Sequence, residues 1–379
     1  MKILFVAGKF GDDDEGGRPS GYAKHLIEAV MSHTGWNECT VYNGGKFDTL
    51  KSIDFKQFNI IFWCPDISND KPKLVRDIKN QHPHCILITS KRNEKQKYGV
   101  MHLIAGALIT KSNLLMEFNW INDFQVGATI LDPLGNCFGE KITSIPELAD
   151  RLVKRIEELR KFTRVPSVNI GETSYPLVPY PDPTSLALWQ NMIESREMRS
   201  RKQFFILAQQ YAEKFHQLIQ IQTDRFLGNL SFRCAEGFPS FRTEEIIFVS
   251  KRNIDKRNIH DGGFVAVKAG DGVQYYGQDK PSVDTPIQLA LYKQYPRIKY
   301  MLHSHTYVAD APMTKSIVPC GALEEVTEIE KLVPSKDCNW FFVNLRGHGS
   351  LCAAENVNML VNIPYIARPV PEINYWENI

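Results

Sequence analysis

The stretch Tyr300-Met301-Leu302-His303-Ser304-His305-Thr306-Tyr307 decides how the second half of this chain is read. Its apolar opening predicts a short buried strand. Side chains alternate faces along a strand, so His303 and His305 are expected to project to the same side. Two imidazoles aimed at one point are two ligands of a zinc-like ion. A catalytic centre of that kind takes three protein ligands and keeps one open position, so a third must come from elsewhere. His348, within Arg346-Gly347-His348-Gly349, is the best candidate. It follows a second strand-like run, Trp340-Phe341-Phe342-Val343-Asn344-Leu345, and its flanking glycines let the backbone come close. An isolated His-x-His pair is more often a packing accident than a metal site, so the reading depends on context.

That context is four separated motifs: Gly228-Asn229-Leu230-Ser231-Phe232-Arg233, Lys280-Pro281-Ser282-Val283-Asp284, His303-Ser304-His305 and Gly347-His348-Gly349. In this order and spacing they resemble the class II aldolase/adducin family of metal-dependent sugar-phosphate aldolases, epimerases and dehydratases, over residues 200–362. The resemblance implies a C-terminal α/β/α domain with a central, largely antiparallel sheet. It implies Zn2+ or another divalent metal held by His303, His305 and His348. It assigns Asn229, Ser231 and Ser282 to a small, phosphorylated sugar-like substrate, and Asp284 to catalytic acid/base work at the start of a helix from Ile287 to Gln294. A zinc-type ion would polarise a carbonyl and a neighbouring hydroxyl and stabilise an enediolate, Asp284 moving the proton. Cleavage, epimerisation and loss of water are all accessible from there. Family sites often form between subunits, so a homo-oligomer is expected, with Tyr365 or Tyr375 serving a neighbour by analogy.

Several positions depart from the family or admit a structural reading. Most relatives carry Glu where Asp284 stands, and the shorter side chain shifts the reach by about an ångström against the roughly 2.6 to 3.2 Å that proton transfer requires. Asp284 or Thr285 could instead cap a helix whose first position is Pro286. Asn229 could cap a turn before its strand. After the strand from Glu245 to Val249 the family's Ser-Gly turn is replaced by Ser250-Lys251-Arg252-Asn253. Ser250, Lys251 and Arg252 are read as anion contacts, Arg252 through its bidentate fork, or else as a solvated charge cluster. Upstream of Gly228, often hydroxylated positions are Phe226 and Leu227. Tyr307 is either a further catalytic donor near the metal or a core residue.

With 379 residues, 43% of them hydrophobic, the chain can bury a substantial core and is expected to form two domains. A net charge of +2 gives no electrostatic reason to expect nucleic acid or an anionic membrane as partner. The eight cysteines include no Cys-x-x-Cys pair, which fits a reduced cytoplasmic setting. The run from Ile3 to Ala7 is too short for a signal sequence, and no apolar stretch approaches the roughly 18 residues of a membrane span.

Residues 1–164 alternate strand-like and helix-like runs, as a doubly wound, mostly parallel Rossmann-like or flavodoxin-like sheet requires. Strands are expected at Lys2 to Ala7, Cys39 to Tyr42, Asn59 to Trp63, Cys85 to Thr89 and Gln125 to Leu131, and helices at Tyr22 to Met31 and Pro146 to Phe162. Ser144-Ile145-Pro146-Glu147 reads as a capping box for the second helix. The loop from Gly8 to Gly21 follows the first strand, where such folds bind ligands. Arg18, Ser20 and Gly21 are read there as contacts to a phosphate, a nucleotide or a sugar nucleotide. Its spacing is not Gly-x-Gly-x-x-Gly and Asp12-Asp13-Asp14-Glu15 would repel a phosphate, so a flexible glycine-rich loop is the alternative. The start of this half also resembles the amino-terminal half of two-domain glycosyltransferases, without a matching second half. Leu131-Asp132-Pro133-Leu134-Gly135-Asn136 is a second ligand candidate or simply a turn.

A proline-rich linker is expected at 165–197, and the metal-dependent domain at 198–379, opening with a helix from about Arg199 to Gln220. The leading reading is a lyase or isomerase of class II aldolase type with a ligand-binding first domain. Two alternatives are a nucleotide-dependent transferase with an auxiliary aldolase-like half and an adducin-like, non-catalytic module. Three convergent imidazoles weigh against the last.

Overall fold

Alternating apolar runs fold into two α/β units in the computed structural model. It describes residues 1–11, 17–34, 36, 38–67, 71–93, 97–122, 125–163, 167–169, 196–219, 225–233, 247–260, 263–275 and 279–373. Unit 1 is Met1–Lys161 with Pro369–Ile379, and unit 2 is Phe162–Arg368. The acidic run Asp12 to Glu15, most of the linker 165–197 and Tyr375 lie outside the described residues. No helix among the described residues is long and apolar enough to cross a membrane.

Unit 1 runs β1 (Lys2–Gly11), α1 (Gly21–Thr34), β2 (Glu38–Lys46), α2 (Phe47–Lys51), β3 (Ile60–Asp66), α3 (Lys71–Gln81), β4 (Ile86–Arg92), α4 (Val100–Thr110), β5 (Leu114–Asn122), β6 (Gln125–Leu131), β7 (Asn136–Ile142) and α5 (Ile145–Lys161). The sheet order is β7-β6-β5-β4-β3-β1-β2. Strands β2, β1, β3, β4 and β5 are parallel, and β6 and β7 add an antiparallel edge. That is the expected flavodoxin-like arrangement, in which the order of strand addition switches sides between β1 and β3. Helices α3 and α4 and strands β5 and β7 were not anticipated from the sequence. The first strand was legible because it is covered on both faces. Leu4 and Val6 join Leu50, Val75 and Ile78 in one cluster, while Phe5 stacks on Phe62 with ring centroids 3.9 Å apart.

Two predicted features take definite form. The Ser144 hydroxyl accepts from the Glu147 amide at 3.4 Å, but the Glu147 carboxylate accepts from Arg151 Nε at 3.1 Å, so only half of the capping box forms. The Asp132 carboxylate accepts from the amides of Leu134 and Asn136, both at 2.9 Å, and from Asn136 Nδ2, so Leu131 to Asn136 is a self-satisfied hairpin turn.

Unit 2 contains β8 (Ser167–Asn169), α6 (Arg196–Leu218), β9 (Asn229–Arg233), β10 (Ile247–Ser250), β11 (Phe264–Gly270), β12 (Gly272–Tyr275), α7 (Thr285–Gln294), β13 (Tyr300–Ser304), β14 (Tyr307–Val308), α8 (Glu324–Leu332), β15 (Trp340–Leu345), β16 (Gly349–Ala354) and β17 (Tyr365–Ile366). Its main sheet has the order β15-β16-β13-β9-β10-β11-β12-β8 and is antiparallel except where β8 joins β12. Alternation along the strands builds three layers. Tyr300, Leu302, Leu230 and Phe232 pack with Phe204, Ala208, Tyr211 and Phe215 of α6. Met301, Val343 and Leu351 pack on the other side with Ile287 and Leu291 of α7 and Ile329 of α8. A last strand, β18 (Glu372–Ile373), pairs in parallel with β7, so residues 369–379 belong with unit 1, whereas the sequence reading left them in the second half. Two residues carry no periodicity to read.

The crossing of β13 and β16 is unusually close. A Cβ on Gly349 would lie 1.9 Å from the Ser304 carbonyl oxygen, nearer than any side chain can stand. Replacing Gly349 by Ala is expected to cost about 1 to 3 kcal/mol, as overpacking does, read as a drop in the urea midpoint. Phe204 is fully buried, and Phe204→Ala is expected to cost about 3 to 5 kcal/mol in the same measurement without disturbing residues of the opposite face.

Candidate metal and substrate site

The three histidines meet through the β13–β16 crossing. Strand β13 ends at Ser304, so His305 stands in the bend just beyond it and strand alternation alone does not bring it to His303. His348 occupies the turn between β15 and β16, its amide bonded to Leu345 O at 2.9 Å. Ring centroids are 4.6 Å apart for His303 and His348, 5.0 Å for His305 and His348, and 5.3 Å for His303 and His305. One ring nitrogen from each lies within 4.8 Å of the others.

The surroundings orient the rings. His303 Nδ1 is 3.0 Å from the Ser350 carbonyl, and a proton donated there leaves the Nε2 lone pair free. That Nε2 is buried without a hydrogen-bond partner and sits 3.7 Å from Asp284 Oδ2. His348 Nδ1 faces Glu325 Oε2 at 3.4 Å, and its Nε2 lies 3.2 Å from Cys320 Sγ. Burial pushes His303 down to about 4 and His305 well below the ordinary imidazole value, which keeps both rings neutral, the state a metal requires. For His348 burial acts the same way, but the Cys320 thiol and the Glu325 carboxylate outweigh it and raise the ring. Burial also raises Glu325 and Cys320. This donor set fits a divalent ion: three converging imidazoles, an orphaned Nε2 and the orphaned carboxylate oxygen Asp284 Oδ1.

Asp284 stands at the start of α7 but makes no side-chain bond to the helix. Its Oδ2 accepts instead from Asn229 Nδ2 at 2.8 Å, and the same amide donates to Ser282 Oγ at 3.1 Å. Asn229 is placed by the register that pairs it with His303. Its Oδ1 accepts from Gln288. The structure thus brings Asn229, Ser282, Asp284 and His303 together. Ser231 sits one alternation further along β9, its hydroxyl 3.0 Å from Tyr292 OH. Ser250 Oγ accepts from the Leu230 amide at 3.2 Å, Lys251 pairs with Asp279 at 2.7 Å, and Arg252 Nε donates to Pro281 O at 3.1 Å. Tyr307 is buried with its hydroxyl accepting from the Gly347 amide at 3.0 Å, so it braces the turn that carries His348.

Four residues of this neighbourhood escaped the sequence reading. Glu325 lies on the buried face of α8 beside Val326 and Ile329, and an acid at an inward helical position was a signal that could have found it. Gln288 is a similar case on α7. Lys256 is 7% exposed, donates to Phe226 O at 2.7 Å, and is pushed down to about 8 by burial. Cys320 gave no local signal.

In unit 1 a cavity of about 500 Å³ opens at the carboxyl ends of β1, β3 and β4, lined by Gly8, Ser20, Tyr22, Asp66, Lys91 and Phe118 among others. Of the three residues predicted to bind there, Ser20 lines it, whereas Arg18 and Gly21 do not. The Ser20 hydroxyl accepts from the Ala23 amide at 3.2 Å and so caps α1. The Arg18 carbonyl accepts from Lys9 N at 2.8 Å.

Comparison with known proteins covers both units. Residues 210–366 match the model for the class II aldolase and adducin N-terminal domain. No curated protein matches. Similar solved structures include YgbL of Escherichia coli, a putative aldolase/epimerase/decarboxylase, at 17% identity and a TM-score of 0.31, covering 46% of this chain and 96% of its own. An aldolase II superfamily protein of Pseudomonas syringae has 16% identity and a TM-score of 0.30, covering 48% and 83%. The DNA/pantothenate metabolism flavoprotein of Streptococcus pneumoniae has 10% identity and a TM-score of 0.34, covering 42% and 99%. This is a two-domain protein whose second half carries a class II aldolase and adducin family domain, preceded by a flavodoxin-like α/β unit.

Proposed function

We propose that unit 2 is a divalent-metal-dependent lyase or epimerase acting on a hydroxy-carbonyl compound of the sugar-phosphate type. The observation that carries this reading is the convergence of the His303, His305 and His348 ligand atoms within 4.8 Å. A divalent cation held by His303, His305 and His348 would supply positive charge next to the substrate's oxygens. The chain supplies the rest. Asn229 fixes one oxygen of Asp284, leaving Oδ1 to take a proton from the substrate or return it. Ser282 shares the Asn229 amide and faces the same substrate end, and Lys251 and Arg252, at the end of β10, receive the anionic group. Tyr307 holds the Gly347 amide and thereby the ring of His348. A non-catalytic scaffold is disfavoured energetically, since buried polar atoms without partners cost about 1 to 3 kcal/mol each and such a module gains nothing in return.

Unit 1 serves in this proposal as the binding site for a nucleotide or sugar nucleotide. Tyr22 and Phe118 meet edge to face at 5.3 Å on the cavity wall, a surface for a planar ring, and Lys91 and Arg92 at its rim suit a phosphate. The protein is expected to work as a cytoplasmic homo-oligomer.

Metal analysis of purified protein should find a divalent ion that His303→Ala loses. Asp284→Asn should keep the ion and lower turnover by about 10² to 10⁴ on a panel of hydroxy-carbonyl and sugar-phosphate substrates; unchanged turnover would remove Asp284 from its role. For unit 1, calorimetric titration with nucleotides should saturate, and Lys91→Glu should weaken binding by at least about tenfold, the equivalent of 1.4 kcal/mol.

A further inference from the structure

The ring of His348 lies between two groups: Glu325 Oε2 is 3.4 Å from Nδ1, too poorly aligned for a hydrogen bond, and Cys320 Sγ is 3.2 Å from Nε2. An imidazole whose Nδ1 proton faces a carboxylate presents Nε2 as its ligand atom. The Nε2 lone pair then points at the sulfur. Two donors on one tetrahedral zinc ion, with nitrogen at about 2.1 Å and sulfur at about 2.3 Å from the metal, sit roughly 3.6 Å apart. The observed separation is within a few tenths of an ångström of that spacing. Ligand atoms of Asp284, Cys320 and His348 all lie within 4.8 Å of one another, as do those of His303, His305 and His348, so the two sets share one imidazole.

Two further observations point to a ligand in the same small space. His303 Nε2 and Asp284 Oδ1 have no hydrogen-bond partner, and their residues are 5% and 7% exposed. The two side chains face each other, with 3.7 Å between His303 Nε2 and Asp284 Oδ2. The thiol is also positioned by the backbone. Gly321 has φ +79°, and a Cβ there would lie 2.6 Å from Val283 O, so the loop carrying Cys320 docks directly on the turn that carries Ser282 and Asp284.

We propose that Cys320 Sγ is a fourth protein ligand of the ion held by His303, His305 and His348, closing in the resting protein the position that substrate takes. This rests on the metal centre proposed above and adds a soft, displaceable donor to it. Coordination releases the thiol proton to solvent. A thiolate ligand selects zinc or cobalt over magnesium or manganese. Its negative charge would also lower the net charge of the centre, and a sulfur released when substrate arrives would take a proton back from solvent and restore the ion's full charge to the site.

The full-length protein, stripped with a chelator and reloaded with Co2+, tests this by its absorption spectrum. Wild type is expected to show visible ligand-field bands together with a near-ultraviolet sulfur-to-cobalt charge-transfer band. Cys320→Ser is expected to bind cobalt, keep the visible bands and lose the charge-transfer band. In wild type, iodoacetamide labelling of Cys320, mapped by mass spectrometry, is expected to be lost on loading with zinc. Cobalt bound without a charge-transfer band, a band that survives Cys320→Ser, or labelling that zinc does not suppress overturns the role of Cys320 while leaving the three-histidine centre standing. Failure of the wild type to bind cobalt at all overturns both.

Discussion

The functional architecture of unit 2 depends on one steric constraint, the approach of Gly349 to the Ser304 carbonyl at the end of β13. The antiparallel register pairs His303 with Leu351 and Ser304 with Ser350, which carries the β15–β16 turn over the end of β13. His348 is thereby laid beside two histidines about 45 residues earlier in the chain. The missing side chain at position 349 is what allows backbone to pass over backbone there. Gly228 plays the same part on the other flank, where a Cβ would lie 2.5 Å from His303 O, so β9 can deliver Asn229 opposite His303. Glycines here are space left for the site rather than flexibility.

Burial then sets the chemistry. Two imidazoles enclosed by protein are held neutral, and the third is flanked by a carboxylate and a thiol. Such an assembly of polar atoms is costly to bury and is compensated only in part within the protein, since His303 Nε2, His348 Nδ1 and Asp284 Oδ1 lack hydrogen-bond partners. The polar network around Asn229 works the other way: its amide bridges Ser282 and Asp284 while Gln288 holds its oxygen, so each member fixes the next. Asp284, at the start of α7, reaches His303 to within 3.7 Å because its carboxylate is not spent on capping the helix.

In unit 1 the ligand-sized space follows from topology rather than from a motif. Where the chain turns outward to β2 on one side and β3 on the other, the connections diverge and leave a crevice at the carboxyl ends of the strands. The glycine-rich loop contributes less than its composition suggests: Ser20 spends its hydroxyl as the cap of α1, and the Arg18 backbone packs against Gly8 and Gly44. The cavity wall comes mostly from strand ends far apart in sequence, such as Asp66, Lys91 and Phe118.

The sequence by itself determined the class of each half and the identity of the imidazoles. Apolar runs such as Ile3 to Ala7 and Tyr300 to Leu302 read as interior strands, and the structure buries them; His303, His305 and His348 stand in recognisable local settings. Periodicity did not reveal α3, whose polar composition masks its apolar stripe, nor β18, which is two residues long. Tertiary structure alone decided that Cys320 and Glu325 flank His348, that Asp284 turns away from its helix toward Asn229, and that Ser231 and Tyr307 bond to Tyr292 and Gly347. The physical reason is that a side chain's partners across a sheet or between loops are chosen by strand register and backbone approach, which are global properties that no local window of residues contains.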